Sequence, residues 1–212
     1  MRAMKDPQTR VDRLKRAEPK RKPDTEKKER IPPGQYLTDK FPVLTYGETP
    51  VIKPERWRLR VWGLVENPFE LDWESFRKLP RKRIVVDIHC VTRWSMLDTE
   101  WEGVPFSVIA EMAKPLPEAT AVMEHAYGGY TTNMLLKELM DDDVLLADTF
   151  GGRPLEIEHG GPVRMLVPKL YFWKSAKWLN GLEFLSQNRP GFWETYGYHM
   201  HGDPWSEERF SR

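Results

Sequence analysis

The strongest constraint on the fold is the run at residues 83–96, RIVVDIHCVTRWSM, which contains the only cysteine of the chain. Four of residues 84–88 are β-branched and apolar, and only Asp87 interrupts them. Such a run predicts a buried or half-buried strand. Cys90 follows at the point where the strand gives way to more polar sequence. A strand end is a rigid mount, and the loop after it can carry chemistry.

Short segments with strand periodicity recur along the chain, and only a few short helices separate them. Further strand patterns lie at residues 57–62, 119–126, 163–167 and 176–185. Helix patterns lie at residues 73–79 after a capping Asp72, at 105–113, and from Thr132 or Asn133 through 139. Many short strands with few helices predict an α+β fold, a sheet-dominated mixed domain with short helices, over residues 34–212.

Residues 1–33 differ from the rest in composition. Residues 1–30 hold 12 Lys and Arg against 6 Asp and Glu, and Val11 and Leu14 are the only large apolar residues there apart from methionine. A segment of this kind buries too little surface to offset the entropy of ordering, so we predict a basic, disordered or loosely attached tail. Docking to an acidic partner is the alternative interpretation. The remainder is acidic in balance, which argues against a nucleic-acid partner.

The single cysteine and the hydropathy pattern exclude several protein classes. One cysteine forms no intramolecular disulfide and no four-cysteine zinc site. No apolar run reaches the roughly 18 residues that a membrane helix needs, and residues 1–30 contain no apolar signal-peptide core. We therefore expect no membrane span and a cytoplasmic location.

Three clusters of polar residues stand at predicted strand ends. Cys90 with Thr92 and Arg93 forms the first, His159 with Arg164 the second, and residues 174–177, KSAK, the third. A thiolate is a soft ligand for a transition metal, and nearby cations favour the thiolate form. Arginine offers a planar fork for phosphate or carboxylate, and the glycines between His159 and Arg164 permit close backbone approach to a ligand.

Each cluster also has an ordinary structural interpretation. A lone cysteine is most often a buried apolar residue, His159 could be a turn histidine, and Arg164 could be part of a surface ion pair. A cysteine hydrolase would need His159 or His125 beside Cys90. The C-terminal pair His199 and His201, with Asp203, has too few assembled ligands to predict a zinc site.

Five segments, taken in order, are similar to one known family. They are FPVLTYG (41–47), HCVTRWSM (89–96), YGGYTTN (127–133), HGGPVRMLVP (159–168) and YFWKSAKW (171–178). The set resembles the sulfite oxidase family, and most closely its short bacterial and archaeal members, which are related to the catalytic subunit of methionine-sulfoxide reductase. The resemblance runs from about Tyr36 to the C-terminus.

The resemblance implies a molybdenum ion held by one molybdopterin and by a single protein thiolate, which Cys90 matches. His159 and Arg164 match the pair that binds the pterin and its phosphate. The segment Ser175, Ala176 and Lys177 matches the loop that completes the phosphate site. In addition, Tyr46 and Gly47 match the N-terminal segment over the cofactor.

Departures from the family pattern concern the substrate. Sulfite oxidases place two arginines shortly after the cysteine, whereas this chain has Arg93 alone, and the reductase has an acidic residue where Thr92 stands. We expect two-electron oxygen-atom transfer on a small oxo-anion or sulfoxide-like substrate, with Arg93, Tyr130 and Thr132 lining the pocket and an external electron carrier. A non-catalytic cofactor-binding protein that keeps the fold is the alternative.

Overall fold

The computed structural model describes residues 6–17 and 28–211, which form two β-sheets with short helices around them. The helices are α1 (Pro7–Arg16), α2 (Trp73–Arg77), α3 (Phe106–Ala113), α4 (Leu136–Leu139) and α5 (Phe192–Thr195). The strands are β1 (Tyr36–Leu37), β2 (Arg58–Gly63), β3 (Phe69–Asp72), β4 (Lys82–His89), β5 (Trp94–Pro105), β6 (Ala121–Ala126), β7 (Thr131–Leu135), β8 (Leu145–Phe150), β9 (Arg153–Pro154), β10 (Arg164–Leu166) and β11 (Leu179–Leu185). The predicted sheet-dominated α+β class is confirmed.

The first sheet is built on β5, the longest strand of the described chain, at 12 residues. Its order is β1-β5-β8-β10, with β4 also paired to β5 and β9 to β8. Strands β4 and β5 are antiparallel neighbours, so the turn between them projects from one end of the sheet. Gly103 permits the approach of β8, because a Cβ there would lie 2.2 Å from the Leu146 carbonyl oxygen.

The second sheet has the order β3-β2-β11-β6-β7 and contains a parallel pair, β2 and β11. Alternation places Leu59 and Val61 of β2 in the core, while Arg58 and Arg60 face solvent. Helix α2 follows β3 directly because the Asp72 carboxylate accepts the Ser75 N–H at 2.8 Å, the cap expected from the sequence.

Two hydrophobic clusters fill the interior. The main core lies around the second sheet and α3 and includes Trp57, Phe106, Ile109 and Leu182. The aromatic core contains Val11, Ile88, Cys90, Val91, Trp94, Trp101, Leu145, Ala147, Leu155, Leu166, Tyr171, Phe172, Trp173, Trp193 and Tyr198. Cys90 therefore belongs to the aromatic core.

The predicted disordered tail is wrong over residues 7–16, which form helix α1. Asp6 accepts the Thr9 N–H at 3.0 Å and Pro7 occupies the first helical position, so the helix has a regular N-terminus. Val11 has no exposed surface and packs in the aromatic core. Residues 1–5 and 18–27 of that prediction lie outside the described residues.

The predicted helix from Thr132 or Asn133 through Leu139 is wrong in its first half. Residues 131–135 form strand β7, which pairs with β6 from Thr131 opposite His125 to Leu135 opposite Ala121. Only the following turn, α4, is helical. Strands β5 and β8 were not predicted, whereas α3, β6, β10 and β11 lie where the periodicity placed them. None of the helices in residues 6–17 and 28–211 is long and apolar enough to cross a membrane.

Candidate active site

Cys90 sits in the turn that joins β4 to β5. The turn closes through Cys90 N–H to the Trp94 carbonyl at 2.8 Å and Arg93 N–H to the Cys90 carbonyl at 2.9 Å. Arg93 adopts a positive φ of 78°, a left-handed conformation that non-glycine residues adopt at a cost. The Thr92 hydroxyl donates to Cys90 Sγ at 3.2 Å. Burial raises the pKa of the Cys90 thiol, and the Thr92 hydrogen bond opposes that shift.

A cavity of about 130 Å³ opens beside Cys90. Nine aromatic side chains contribute to its wall: Phe41, Tyr46, Trp94, Tyr130, Phe172, Trp173, Trp178, Trp193 and Tyr198. The Tyr130 hydroxyl donates to the Trp173 carbonyl at 2.7 Å, which fixes this ring. Three cationic side chains, Arg10, Arg164 and Lys177, also reach the wall, as does His159. The wall thus combines aromatic faces, positive charge and one thiol.

Arg164 begins β10 and is buried, with 2% of its surface exposed. Its guanidinium donates to three backbone carbonyls: His159 at 2.7 Å, Ser175 at 2.9 Å and Met165 at 3.2 Å. It also stacks 4.0 Å from the centroid of the Phe172 ring. Burial lowers the pKa of Arg164 to about 9. The interpretation of Arg164 as a surface ion pair is therefore wrong.

Lys177 and His159 lie on the two segments whose carbonyls, at Ser175 and His159, accept hydrogen bonds from the Arg164 guanidinium. Lys177 Nζ donates to Thr45 Oγ1 and to the Glu158 carbonyl, both at 2.8 Å. Burial, together with the neighbouring Arg164, lowers the pKa of Lys177 to about 7. The His159 ring stacks on Phe41 with centroids 3.9 Å apart, and burial lowers its pKa.

The cations of this cavity have no direct carboxylate partner among the described residues. No ion pair among the described residues joins Arg164, Lys177 or Arg10 to a carboxylate. Trp94, also in the wall, has a buried indole N–H without a hydrogen-bond partner in the described chain. Buried cations without a counter-ion are costly unless an anion joins them. The residues present therefore fit a bound group that offers a soft metal to Cys90 and a phosphate to the cations.

Seven of the eleven residues predicted from the sequence line this cavity: Cys90, Tyr130, Tyr46, His159, Arg164, Ser175 and Lys177. They are spread over residues 46 to 177 of the sequence, and the fold brings them together. Gly47 lies next to Tyr46 in the same bend but is not part of the wall.

The other three predicted residues lie behind the wall. The Arg93 guanidinium lies beside Gly34, where a Cβ would come within 2.9 Å of its Nη1. The Thr132 hydroxyl donates to Glu194 Oε1 at 2.9 Å and is buried. Ala176 packs in the main core, and its N–H donates to Glu124 Oε2 at 3.0 Å. The expectation that Arg93 and Thr132 line the pocket is therefore not met.

Sequence reasoning missed a buried polar network behind the cavity. Lys174 Nζ and Glu194 Oε1 pair at 2.8 Å, and neither side chain has exposed surface. Glu194 Oε1 also accepts the Trp173 indole N–H at 2.8 Å. Lys174 Nζ donates to the Asn133 and Met200 carbonyls as well, at 2.9 and 2.7 Å. This network supports Trp173, one of the aromatic side chains in the wall.

The C-terminal segment closes the other side of the Cys90 turn. Arg209 Nη1 donates to the Val91 carbonyl at 2.9 Å and Nη2 to the Pro33 carbonyl at 3.1 Å. His201, considered above as a metal ligand, instead bridges Glu138 at 2.6 Å and Glu208 at 2.7 Å. The described residues contain no group of three or more His, Cys, Asp and Glu side chains able to hold a metal.

The cysteine-hydrolase interpretation lacks a base in this structure. No hydrogen bond among the described residues joins Cys90 to a histidine. His125 pairs with Glu183 on the second sheet, and the adjacent His89 contacts Ser95 Oγ at 2.8 Å. Nothing in this geometry activates the thiol as a nucleophile.

Comparison with known proteins decides the family. The family model for the oxidoreductase molybdopterin-binding domain matches residues 46–193, which include Cys90 and the second and third polar clusters. The chain belongs to this family. It is a molybdenum-dependent oxidoreductase of the sulfite-oxidase-like type, and the resemblance, the enzyme class and the molybdenum cofactor predicted from the sequence are confirmed.

The proteins that this chain resembles differ in how closely they match it. An uncharacterized oxidoreductase, YuiH of Bacillus subtilis (strain 168), is 49% identical over 86% of this chain and 92% of its own length. The catalytic subunit of protein-methionine-sulfoxide reductase, MsrP, of Campylobacter jejuni is 26% identical over 79% of this chain and 61% of that protein. The sulfane dehydrogenase SoxCD of Paracoccus pantotrophus shares the fold, with a TM-score of 0.61 and 23% identity over 67% of this chain and 41% of that chain.

Proposed function

We propose that this protein carries out two-electron oxygen-atom transfer on a small oxo-anion or sulfoxide-like substrate, with Cys90 as the protein ligand to molybdenum. The observation that carries the proposal is a soft thiol in the wall of a cavity that also holds the buried Arg164 and the half-buried Lys177 and Arg10, none of which pairs with a carboxylate among the described residues. A molybdopterin supplies both missing partners, because its metal accepts a thiolate and its phosphate accepts cationic donors.

We assign the phosphate end of the cofactor to the cationic residues of the cavity wall. Arg164 and Lys177 provide positive charge, and a phosphate beside them would offset the burial that depresses both pKa values. His159, Ser175 and Tyr46 line the same cavity and would contact the pterin. Arg164 is held in place by three backbone carbonyls, so the site is organised before the cofactor binds.

When bound, the molybdenum centre supplies the oxygen-atom exchange itself, and the protein supplies position, charge and access. Thr92 holds the Cys90 sulfur through its hydroxyl. The aromatic wall, with Tyr130 fixed against the Trp173 carbonyl, limits the access of water.

Among the possible substrates we favour the sulfoxide-like class, acting in the direction of reduction. A sulfoxide takes up two electrons and two protons and yields a thioether and water. The relatives named as methionine-sulfoxide reductases support this choice. The position of Arg93 supports the same choice. Arg93 was expected to attract an oxyanion substrate, but it lies outside the cavity wall.

We also propose that a separate carrier delivers the electrons and that the protein works in the cytoplasm. The only cysteine of the sequence is assigned to molybdenum, which leaves no thiolate for an iron–sulfur cluster in these residues. A single unpaired thiol suits a reducing compartment. Fractionation of the native cells and co-purification of a reductase test the two points.

The first experiment measures molybdenum and oxidised-pterin fluorescence in protein made by a host that synthesises molybdopterin. We expect about one molybdenum per chain, and loss of most of the metal in Cys90→Ala because a thiolate is a strong ligand for this soft site. Ser107→Ala, at an exposed position of α3, is the control and should keep its metal. Wild-type protein with neither metal nor pterin would contradict the proposal.

The second experiment follows substrate reduction by a dithionite-reduced viologen dye. Dimethyl sulfoxide, methionine sulfoxide, nitrate and chlorate serve as test substrates. We expect reduction of the sulfoxides by the loaded wild-type enzyme. Reduction of the oxyanions alone would move the assignment to the oxo-anion class, and no reduction of any substrate by metal-loaded protein would refute the direction that we propose.

A further inference from the structure

Helix α1 brings a residue to the cavity from outside the region that defines the family. The family model begins at residue 46, whereas α1 spans Pro7–Arg16. The helix is fixed by Val11, which is fully buried in the aromatic core, and by Lys15, whose Nζ lies 5.5 Å from the centroid of the Phe210 ring. These contacts hold α1 against the rest of the domain, next to the cavity.

Arg10 is the residue of α1 that enters the cavity wall. Its guanidinium lies 5.4 Å from the centroid of the Trp193 ring. Its one described hydrogen bond, Nη1 to the Thr45 carbonyl, is 3.5 Å long, at the outer limit of such contacts. No ion pair among the described residues involves it. Most of the donors of Arg10 are thus free to bind something in the cavity.

Arg10 differs in this respect from the other two cations of the wall. The donors of Arg164 are directed at three backbone carbonyls, and Lys177 is held by Thr45 and Glu158. Arg10 is close enough to Cys90 and to Lys177 for its charge to act on both. The Arg10 guanidinium, with most of its donors unused, therefore lines the same cavity as the Cys90 thiol.

We propose that Arg10 is a specificity-determining residue that binds a negatively charged group of the oxo substrate. The inference rests on the proposed function. Guanidinium recognises carboxylates and oxyanions through paired hydrogen bonds, and stacking on Trp193 keeps its plane oriented. Within the sulfoxide class, the preferred substrate is a sulfoxide that carries a carboxylate, in preference to a neutral sulfoxide of the same size.

The test uses two substrates that differ by one charge. N-acetylmethionine sulfoxide is an anion, and its methylamide is neutral with the same sulfoxide. For Arg10→Gln we expect the ratio of kcat/KM for the anion to that for the amide to fall about tenfold, the equivalent of about 1.4 kcal/mol for a charge-assisted hydrogen bond. Arg10→Lys should retain part of the preference. Arg13→Gln, at an exposed position on the same helix, is the control.

Binding without turnover gives a second readout. The dissociation constant of the anionic sulfoxide is measured on cofactor-loaded protein in the absence of an electron donor. We expect it to rise about tenfold in Arg10→Gln, because the same charge-assisted bond is lost before any chemistry occurs. In Arg13→Gln we expect the wild-type constant.

Three results separate the proposals. An unchanged ratio and an unchanged dissociation constant in Arg10→Gln would overturn the role of Arg10, even with both substrates reduced. Loss of molybdenum from Arg10→Gln, with the ratio unchanged, would assign Arg10 to the cofactor phosphate and also overturn it. If the wild type reduces neither substrate, the proposed function fails, and the binding measurement still decides the role of Arg10.

Discussion

Replacing Lys174 by methionine tests the buried network behind the cavity. Lys174 Nζ lies 2.8 Å from Glu194 Oε1 and also donates to the Asn133 and Met200 carbonyls. Neither charged side chain is exposed to solvent. Burial lowers the pKa of Lys174, and the attraction of Glu194 opposes that shift. The methionine fits the space of the lysine stem but leaves the Glu194 charge without its partner.

The magnitude follows from the burial of the pair. Removing one member of a buried ion pair costs about 3–5 kcal/mol, because the other charge remains desolvated and unpaired. For a domain of 150–250 residues, each kcal/mol corresponds to about 2–4 °C in Tm, so we expect a fall of about 6–20 °C. Trp173 donates to the same Glu194 oxygen, so cofactor retention should fall as well.

The assay is thermal unfolding of the apoprotein, with Lys169→Met as the matched control. Lys169 pairs with Asp141 at the surface, and its loss should cost less than about 1 kcal/mol. The double variant Lys174→Met with Glu194→Gln should recover part of the stability, because the unpaired charge is gone. A Lys174→Met variant that melts no lower than Lys169→Met would refute the reasoning.

Two further substitutions test individual polar side chains, Thr92 and His201. Thr92→Val removes the donor to Cys90 Sγ. Because hydrogen bonds to a ligating sulfur raise reduction potentials, the molybdenum midpoint potential measured by EPR titration should fall by about 30 mV. An unchanged midpoint potential would contradict this expectation. Burial lowers the pKa of His201, but hydrogen bonds to Glu208 and Glu138 outweigh it and raise the pKa above 6.5. The stabilisation is therefore complete below pH 6.5 and lost as pH rises through the raised pKa. The Tm difference between wild type and His201→Gln should shrink with rising pH, and a constant difference would exclude the ion pair.

The parts of the fold that the sequence predicts are those with strong local signals. The strand before Cys90 and the Asp72 cap of α2 were found because periodicity and capping are local properties. Strand β7 was mistaken for a helix because Thr132 and Asn133 also cap helices, and only the pairing with β6 decides between the two. For α1 the signal was present in Asp6, Pro7 and the spacing of Val11 and Leu14, but the basic composition outweighed it.

In the candidate site, too, the residues with strong sequence signals were predicted and the long-range contacts were not. Sequence clusters and a family resemblance together placed Cys90, His159, Arg164 and Lys177 in one cavity. The direction of the Arg93 side chain could not be predicted, because it depends on a positive φ in the turn and on neighbours far away in the chain. The carbonyl contacts of Arg164 likewise require three segments that only the folded chain brings together.

The position of Arg209 has a consequence for how the enzyme is made. Its guanidinium connects the carbonyl of Val91, within the Cys90 turn, to the carbonyl of Pro33; the two residues lie 118 and 176 positions earlier in the chain. During translation the N-terminal part of a chain emerges first, so the turn lacks this connection until residue 209 has left the ribosome. A chain still unfinished at residue 200 therefore contains every residue that lines the cavity but lacks the contact that joins the Cys90 turn to Pro33.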